Sequence, residues 1–358
     1  MKQNVGTYLV SQRAASDAAG IASDHGVRSA YLAFDRAVEE RAAAIARAFK
    51  RTGMSMLGET SIAGGERCKR MSAVSRIHHD LAAAGADRAT MLVAVGGGSV
   101  TDVSGFAAAT YMRGIPWLPV ATTVLGMVDA SIGGKTGVDV PEGKNLIGAF
   151  WQPVGVVADL HALATLPLRE RRTGMAEIVK HAIVGDPGLL RACAGFAVDS
   201  PRADWPSLIG RAAGVKLRIV RRDPYEAGER ASLNLGHTIG HALEFASGYR
   251  IAHGAAVAVG LRGAGLLALE MGLWSAGEHA RVLEALTHTG LAVHAGGISA
   301  SALLAAMRRD KKRVGNKHRF VLPLRIGKVI SGVEVDEPAI RRALTKCSRP
   351  ASAGELRG

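Results

Sequence analysis

Two histidines four residues apart, His237 and His241, sit in the apolar run LNLGHTIGHALEFA of residues 233–246, with Asn234 just ahead of them. At about 3.6 residues per turn, positions i and i+4 share a helix face, so both imidazoles are expected to serve one site. That site suits a divalent metal of the zinc type, which takes N, O or S ligands and in catalytic centres commonly keeps three protein ligands and one open position. His253 in IAHGAAV and Glu177 in MAEIVK are the further donors. Spacing alone does not choose which three bind. HTIGH has no glutamate after its first histidine, so it lacks the general base of a metalloprotease helix. Packing histidines satisfied by hydrogen bonds are the bland alternative for such a pair.

Arg230, Asn234, His237 and His241 advance in steps of three and four, which predicts a polar row along one helical side in apolar surroundings. Buried without partners, the row would cost roughly 1–3 kcal/mol per unsatisfied group. A bound anion and a metal would supply the partners. Two glycine-rich segments point to anions as well. GGGSVTD, residues 96–102, joins a buried strand to a helix, where free backbone N–H groups and the helix dipole favour phosphate. Only Gly96, Gly98 and Thr101 fall in the dinucleotide spacing, and a tight structural turn gives the same pattern. Asp35, closing the strand SAYLAFD, is a candidate ribose ligand in a topology other than the usual Rossmann order. The stretch DASIGGKTGVDVPEGKNLIGAF, residues 129–150, sets Lys135 in a glycine turn and Lys144 with Asn145 in a second polar turn. Short side chains there expose backbone donors and the lysines add charge; a solvated hairpin is the plain alternative.

The elements that must position these groups alternate in the first half. SAYLAFD (29–35), MLVAVGGGS (91–99), PWLPVATT (116–123) and GVVADL (155–160) read as strands, VEERAAAIARAFKR (38–51) and TDVSGFAAATYM (101–112) as helices. This predicts an α/β N-terminal domain, residues 1–170, built on a mainly parallel nucleotide-binding sheet. From about residue 170 the period turns helical, through MAEIVKHAIV, SLIGRAAGVKLRIVRR, the histidine run, the window 251–272, GEHARVLEALTHTG and SALLAAMRRDKK. A mostly α-helical metal- and substrate-binding domain over 171–346 is expected, with a β-hairpin at 314–330 and a flexible tail at 347–358.

Composition narrows the function. The chain of 358 residues is 48% hydrophobic with 44 glycines, as in a compact two-domain enzyme. Aromatics make up 4%, which argues against a stacking platform for single-stranded nucleic acid. Forty-five Lys+Arg against 31 Asp+Glu give a net charge of +14, spread along the chain without a nucleic-acid-binding motif. An acidic small substrate is the expected partner, with no nucleic acid and no membrane. Cys68, Cys193 and Cys347 are odd in number and widely separated, so no disulfide framework and a reducing cytoplasm are expected. MKQNVGTYLVSQR lacks the apolar centre of a signal peptide, and His253 and Arg262 interrupt the greasiest window.

Taken together, GGGSVTD, GFAAATYMRGI, the threonines at 122 and 123, GGKTG, GKNLIGAF, MAEIVK, LNLGHTIGHA and the HG pair at 253–254 resemble the 3-dehydroquinate synthase family of the sugar phosphate cyclase superfamily, over roughly residues 29–330. The resemblance implies that Glu177, His237 and His253 hold one divalent metal, zinc or cobalt, while His241 faces the substrate phosphate. It implies catalytic roles for His241, Lys180, Lys216, Arg230 and Asn234. Substrate contacts would come from Arg113, Asp129, Lys135, Asn145 and Lys311 or Lys312, with Arg113 reaching in from a second subunit of a homodimer. For NAD the matching residues are Asp35, Glu66, Lys69, Gly98, Ser99, Val100, Thr101, Asp102, Thr122, Thr123, Lys135, Lys144 and Thr165. The implied reaction converts 3-deoxy-D-arabino-heptulosonate 7-phosphate to 3-dehydroquinate and phosphate, a step of the shikimate pathway to aromatic amino acids. It runs by transient oxidation at C5, phosphate elimination, re-reduction and intramolecular aldol closure.

Two departures stand out. The loop reads GSVTD where the family has an apolar pair and glycine before the aspartate, and HGAAV carries Ala255 where a glutamate is common. The first alters packing near the pyrophosphate; the second is expected to loosen support of His253. Rival readings are another cyclase making a different cyclitol, a metal- and NAD-dependent polyol dehydrogenase, and a noncatalytic polyanion-binding protein.

Overall fold

A computed structural model describes residues 6–309 and 318–357. The chain forms two compact units, Met1–Pro167 and Leu168–Gly358.

In the first unit the chain order is β1 (Thr7–Ser11), α1 (Ala14–Asp24), β2 (Ser29–Asp35), α2 (Glu39–Arg51), β3 (Ser55–Ile62), α3 (Met71–Ala83), β4 (Met91–Gly96), α4 (Gly98–Thr110), β5 (Trp117–Ala121), β6 (Lys135–Val140), β7 (Gly143–Phe150) and β8 (Gly155–Asp159). Six strands make one sheet in the order β1-β8-β5-β4-β2-β3, and each pair in it is parallel. Alternation divides each strand between two cores. Leu32, Phe34, Val93 and Val95 face one way, packing with Ala18, Ile45 and Phe49 of α1 and α2. Tyr31, Ala33, Leu92 and Ala94 face the other, with Ile77, Leu81, Val103 and Phe106 of α3 and α4. Covered on both faces, β4 and β5 are apolar throughout, as parallel strands between helix layers must be.

Within the six-stranded sheet the two strands without a sequence signal, β1 and β3, are the edges, where polar residues such as Glu59 are tolerated. Helix α4 begins three residues ahead of the expected TDVSGFAAATYM, within the glycines, and ends at Thr110. Met112 and Arg113 lie outside it with φ of 48° and 66°. β6 and β7 pair antiparallel, so Lys135 opens a strand and Lys144 and Asn145 lie within one, Asn145 at φ 52°.

The second unit comprises α5 (Leu168–Gly185), α6 (Pro187–Ala194), α7 (Trp205–Arg222), α8 (His237–Ala246), α9 (His253–Glu270), α10 (Ala276–His288), α11 (Ala300–Arg309), the antiparallel hairpin β9 (His318–Arg325) and β10 (Lys328–Val335), then α12 (Glu337–Cys347) and α13 (Ala353–Arg357). α9 is buried along nearly its whole length, which accounts for its apolar sequence. No helix among the described residues is long and apolar enough to cross a membrane.

The expected flexible tail needs correction. Cys347 ends α12 fully buried, and α13 follows. Arg262, buried in the middle of α9, donates from Nε and Nη2 to Glu355 at 3.0–3.1 Å and from Nη1 to the carbonyls of Val293 and Arg349. A guanidinium taken out of water requires such partners, and the last helix delivers the carboxylate. Glu355→Ala leaves that charge uncompensated and should destabilise the protein by about 3 kcal/mol or more in urea unfolding. Burial raises the Glu355 pKa, but the Ser352 N–H and the Arg262 charge outweigh it and hold the carboxyl below its ordinary value. The stabilisation is therefore full above the usual glutamate range and falls away as pH drops through the lowered value.

Candidate active site

Each donor of the histidine cluster is placed by a close backbone approach. The run LNLGHTIGHALEFA is not one helix: Arg230 and Asn234 belong to a 3₁₀ segment, Glu229–Asn234, and Gly236 turns the chain at φ 79°. The expected continuous polar row is therefore interrupted between Asn234 and His237, and of its four members His237 and His241 share a face of α8. A left-handed residue at this point favours glycine. A Cβ on Gly260 of α9 would lie 1.9 Å from the Gly236 carbonyl oxygen, and one on Gly254 would lie 2.1 Å from that of Thr173 on α5. Glycine at these two positions lets α9 touch both the start of α8 and the backbone of α5. His253 then stands beside His237 and Glu177.

His253 Nε2 is 3.3 Å and His237 Nε2 is 3.6 Å from the same Glu177 oxygen, Oε1. The second oxygen, Oε2, pairs with the ammonium of Lys180 one turn along α5. Glu177 and Lys180 are both fully buried. On the outer edges of the rings, His237 Nδ1 bonds the Leu235 carbonyl at 3.2 Å and His253 Nδ1 lies 3.5 Å from Glu244 Oε2. With Nδ1 occupied, Nε2 is the nitrogen each ring turns toward Glu177. Burial, then the Lys180 charge, push the His237 pKa well below its ordinary value. Burial also opposes charge on His253, but the hydrogen bonds and charges of Glu177 and Glu244 outweigh it and lift the pKa to about 10.

Glu177, His237 and His253 offer one carboxylate oxygen and two imidazole nitrogens that all lie within 4.8 Å of one another. This His₂Glu set fits a zinc-type catalytic ion with an open position. His241 stays in the cluster without joining this ligand group: its ring centroid is 5.2 Å from that of His237 and 6.4 Å from that of His253. Lys216 on α7 and Arg230 are also buried. Asn234 donates to Glu226 at 2.7 Å. Two carboxylates here were missed from sequence. Glu226 lies in an irregular loop at φ 59° and carries no periodic signal. Glu244 did carry one, since it falls at i+7 from His237 on the same helical stripe.

The nucleotide candidates gather in the first unit. Gly97 closes against Thr123, and Gly98 against Ala130; a Cβ on either would come within 3 Å of its neighbour. Lys69 is buried and donates to Asp102 at 2.8 Å and to Asn145 Oδ1 at 2.5 Å. Burial would push its ammonium down, but the Asp102 and Glu66 charges outweigh it and hold the pKa raised. Lys144 pairs with Glu66 at 2.7 Å, and Ser99 donates to the same carboxylate. Asp35 accepts from the N–H groups of Ala37 and Gly64 at the end of β2. Val100 and Thr101 lie in the first turns of α4, Thr122 just after β5, and Thr165 bonds the Ala162 carbonyl. Asp129 lies in the π-helical turn Gly126–Ala130, and Lys135 is exposed. Lys311 and Lys312 lie outside the described residues.

A parallel α/β unit followed by a helical unit with a Glu–His–His cluster is the architecture of the sugar phosphate cyclases. The solved 2-epi-5-epi-valiolone synthase of Streptomyces hygroscopicus subsp. jinggangensis 5008, with NAD+ and Zn2+ bound, is similar with a TM-score of 0.87 and 27% identity, over 97% of this chain and 98% of that one. A 2-deoxy-scyllo-inosose synthase complexed with carbaglucose-6-phosphate, NAD+ and Co2+ shares the fold with a TM-score of 0.80 at 22% identity, over 96% of this chain and 99% of that one. Residues 59–173 match the N-terminal region of 3-dehydroquinate synthase and residues 174–313 its C-terminal region. The 3-dehydroquinate synthase of Xanthomonas axonopodis pv. citri is 40% identical over 94% of this chain and 95% of its own length. That of Gloeobacter violaceus is 43% identical over 84% of each. The chain belongs to the 3-dehydroquinate synthase family.

The glycine contacts generate a test. Gly260→Ala must push α9 away from the Gly236 carbonyl, with an overpacking cost of about 1–3 kcal/mol in denaturant unfolding. Zinc affinity should fall with it in a chelator competition, because His253 moves with its helix.

Proposed function

We propose that this protein is a 3-dehydroquinate synthase, converting 3-deoxy-D-arabino-heptulosonate 7-phosphate to 3-dehydroquinate and phosphate. The convergence of Glu177, His237 and His253 beside buried cations, in a chain of this family, carries the reading. We assign NAD to the first unit and one divalent ion, zinc or cobalt, to the second; the bound groups of the valiolone synthase support both. When bound, NAD supplies reversible oxidation at C5 and the ion supplies polarisation of the hydroxyl there.

The chain's own residues do the rest. Glu177, His237 and His253 hold the ion. Lys180 caps the outer oxygen of Glu177, so the carboxylate presents Oε1 inward. Lys216 and Arg230 are fixed cations for the substrate carboxylate and phosphate, with Arg230 itself anchored to the Pro224 carbonyl. Fixed donors aimed at developing charge act without reorganisation, which is the source of most electrostatic catalysis. Asn234 is oriented by Glu226 to meet a substrate hydroxyl. His241, on the ligand face of α8 but outside the ligand group, faces the departing phosphate. Arg113, Asp129, Lys135, Asn145 and Lys311 or Lys312 complete the substrate contacts. Asp35, Glu66, Lys69, the Gly98–Asp102 turn, Thr122, Thr123, Lys144 and Thr165 hold the nucleotide.

We also assign a cytoplasmic homodimer. Three buried free thiols, Cys68, Cys193 and Cys347, suit a reducing compartment. Leu146, Ile147 and Phe150 of β7 and neighbouring Met112 in sequence to Arg113 are exposed apolar side chains, the kind a subunit contact covers. Leu146→Asp with Ile147→Asp should shift the sedimentation coefficient to that of a monomer.

Phosphate release from the heptulosonate phosphate, with NAD and zinc and no net NADH, is the expected result. Preferential turnover of sedoheptulose 7-phosphate would instead make it a cyclitol synthase, the activity named for the structural neighbour. Glu177→Ala and His237→Ala should lose metal and turnover together, by more than 100-fold in rate if the ion supplies about 3 kcal/mol or more. His241→Ala should keep metal and lose rate only; metal loss equal to the other two would overturn its role.

A further inference from the structure

Glu244 is not among the residues that the family resemblance assigns. It lies on α8, seven residues after His237 and three after His241, so the helix repeat brings all three to one side. Its carboxylate is almost wholly buried, and a buried charge of this kind persists only where a partner answers it. The partner in view is His253, whose Nδ1 lies 3.5 Å from Glu244 Oε2 while its Nε2 lies 3.3 Å from Glu177 Oε1. The two nitrogens of an imidazole point away from each other, so a carboxylate on the Nδ1 side cannot reach an ion held by Nε2. Glu244 is therefore placed to act through the ring and not as a fourth ligand.

The other histidine is treated differently. His237 Nδ1 meets a neutral backbone carbonyl, that of Leu235. Of these two rings, His253 is the one whose Nδ1 meets a formal negative charge. Ala255 removes from HGAAV the carboxylate that the resemblance led one to expect near His253, and the structure brings one instead from the neighbouring helix. α8 and α9 pack closely enough for this because Gly240 faces the Ala256 backbone at 3.2 Å from where a Cβ would be.

We propose that Glu244 is the positioning residue of the metal centre, fixing the His253 ring with Nε2 inward and making that nitrogen a stronger donor. The inference rests on the reading that Glu177, His237 and His253 hold a divalent ion. Partners of this kind typically change metal affinity by about 10- to 100-fold.

Two variants separate orientation from charge. Glu244→Gln keeps the size and one acceptor oxygen; Glu244→Leu keeps the size and removes the acceptor. Zinc affinity is read by competition with a chromophoric chelator, and the ligand field by the visible spectrum of the cobalt-loaded protein, with NAD affinity and circular dichroism as folding controls. The expected order of zinc dissociation constants is wild type below Gln below Leu, the last weaker by about 10- to 100-fold, with an altered cobalt spectrum and unchanged NAD binding. A Leu variant that matches wild type in zinc affinity and cobalt spectrum overturns the assignment. Should the Leu variant fail to fold, the Gln variant decides: zinc affinity equal to wild type overturns the proposal, and weaker affinity supports it. Wild-type protein that takes up neither metal overturns the underlying reading, a result distinct from a metal-binding wild type with indifferent variants.

Discussion

The carboxylate of Glu177 has no contact with water, and an anion so placed has to be answered by positive charge or by protons. One oxygen is answered by Lys180 on the same helix; the other faces two imidazole nitrogens contributed by α8 and α9. This demand explains why three helices from separate stretches of the second unit converge. It also explains why the convergence is built on glycine. Gly254 and Gly260 admit backbone where any side chain would intrude, so the position of α9 is set by steric contact and not by the apolar surface alone. An ion with a double positive charge would satisfy the same oxygen better than a proton shared with His253, because it recruits both nitrogens at once.

The first unit solves a related problem with neutralised pairs. Lys69 is buried between Asp102 and Asn145, and Lys144 rests against Glu66, so each cation near the Gly98 turn has its counter-charge in place. Such pairs add little net field at long range, leaving the local N–H groups at the start of α4 as the directional donors. The second unit keeps the cations Lys216 and Arg230 buried.

Where one periodicity dominated, the sequence was readable. MLVAVG and WLPVA are continuous apolar runs because both faces of the sheet are covered, and the 251–272 window announces a buried helix. The edge strands β1 and β3 gave no such signal, since an edge can stay half exposed and carry Glu59 or Ser61 among its residues. The break at Gly236 was hidden because the apolar pattern continues through it; the left-handed turn is imposed by the approach of Gly260, which no local pattern encodes. The tail was misjudged for the same reason. CSRPASAGELRG reads as frayed until Arg262, some 90 residues away, is seen to need Glu355.

Spacing selected a face of α8 but not the function of the groups on it. His237, His241 and Glu244 stand on one stripe, yet their surroundings differ because of what approaches from outside the helix. His237 is the first helical residue, so its ring meets Glu177 across the gap that Gly260 closes. His241, one turn on, is past the reach of that carboxylate and is left outside the ligand group. Glu244, a further turn along, meets the opposite edge of the His253 ring. A helix repeat can align three polar side chains; α5 and α9, arriving at fixed depth, give each of them different neighbours.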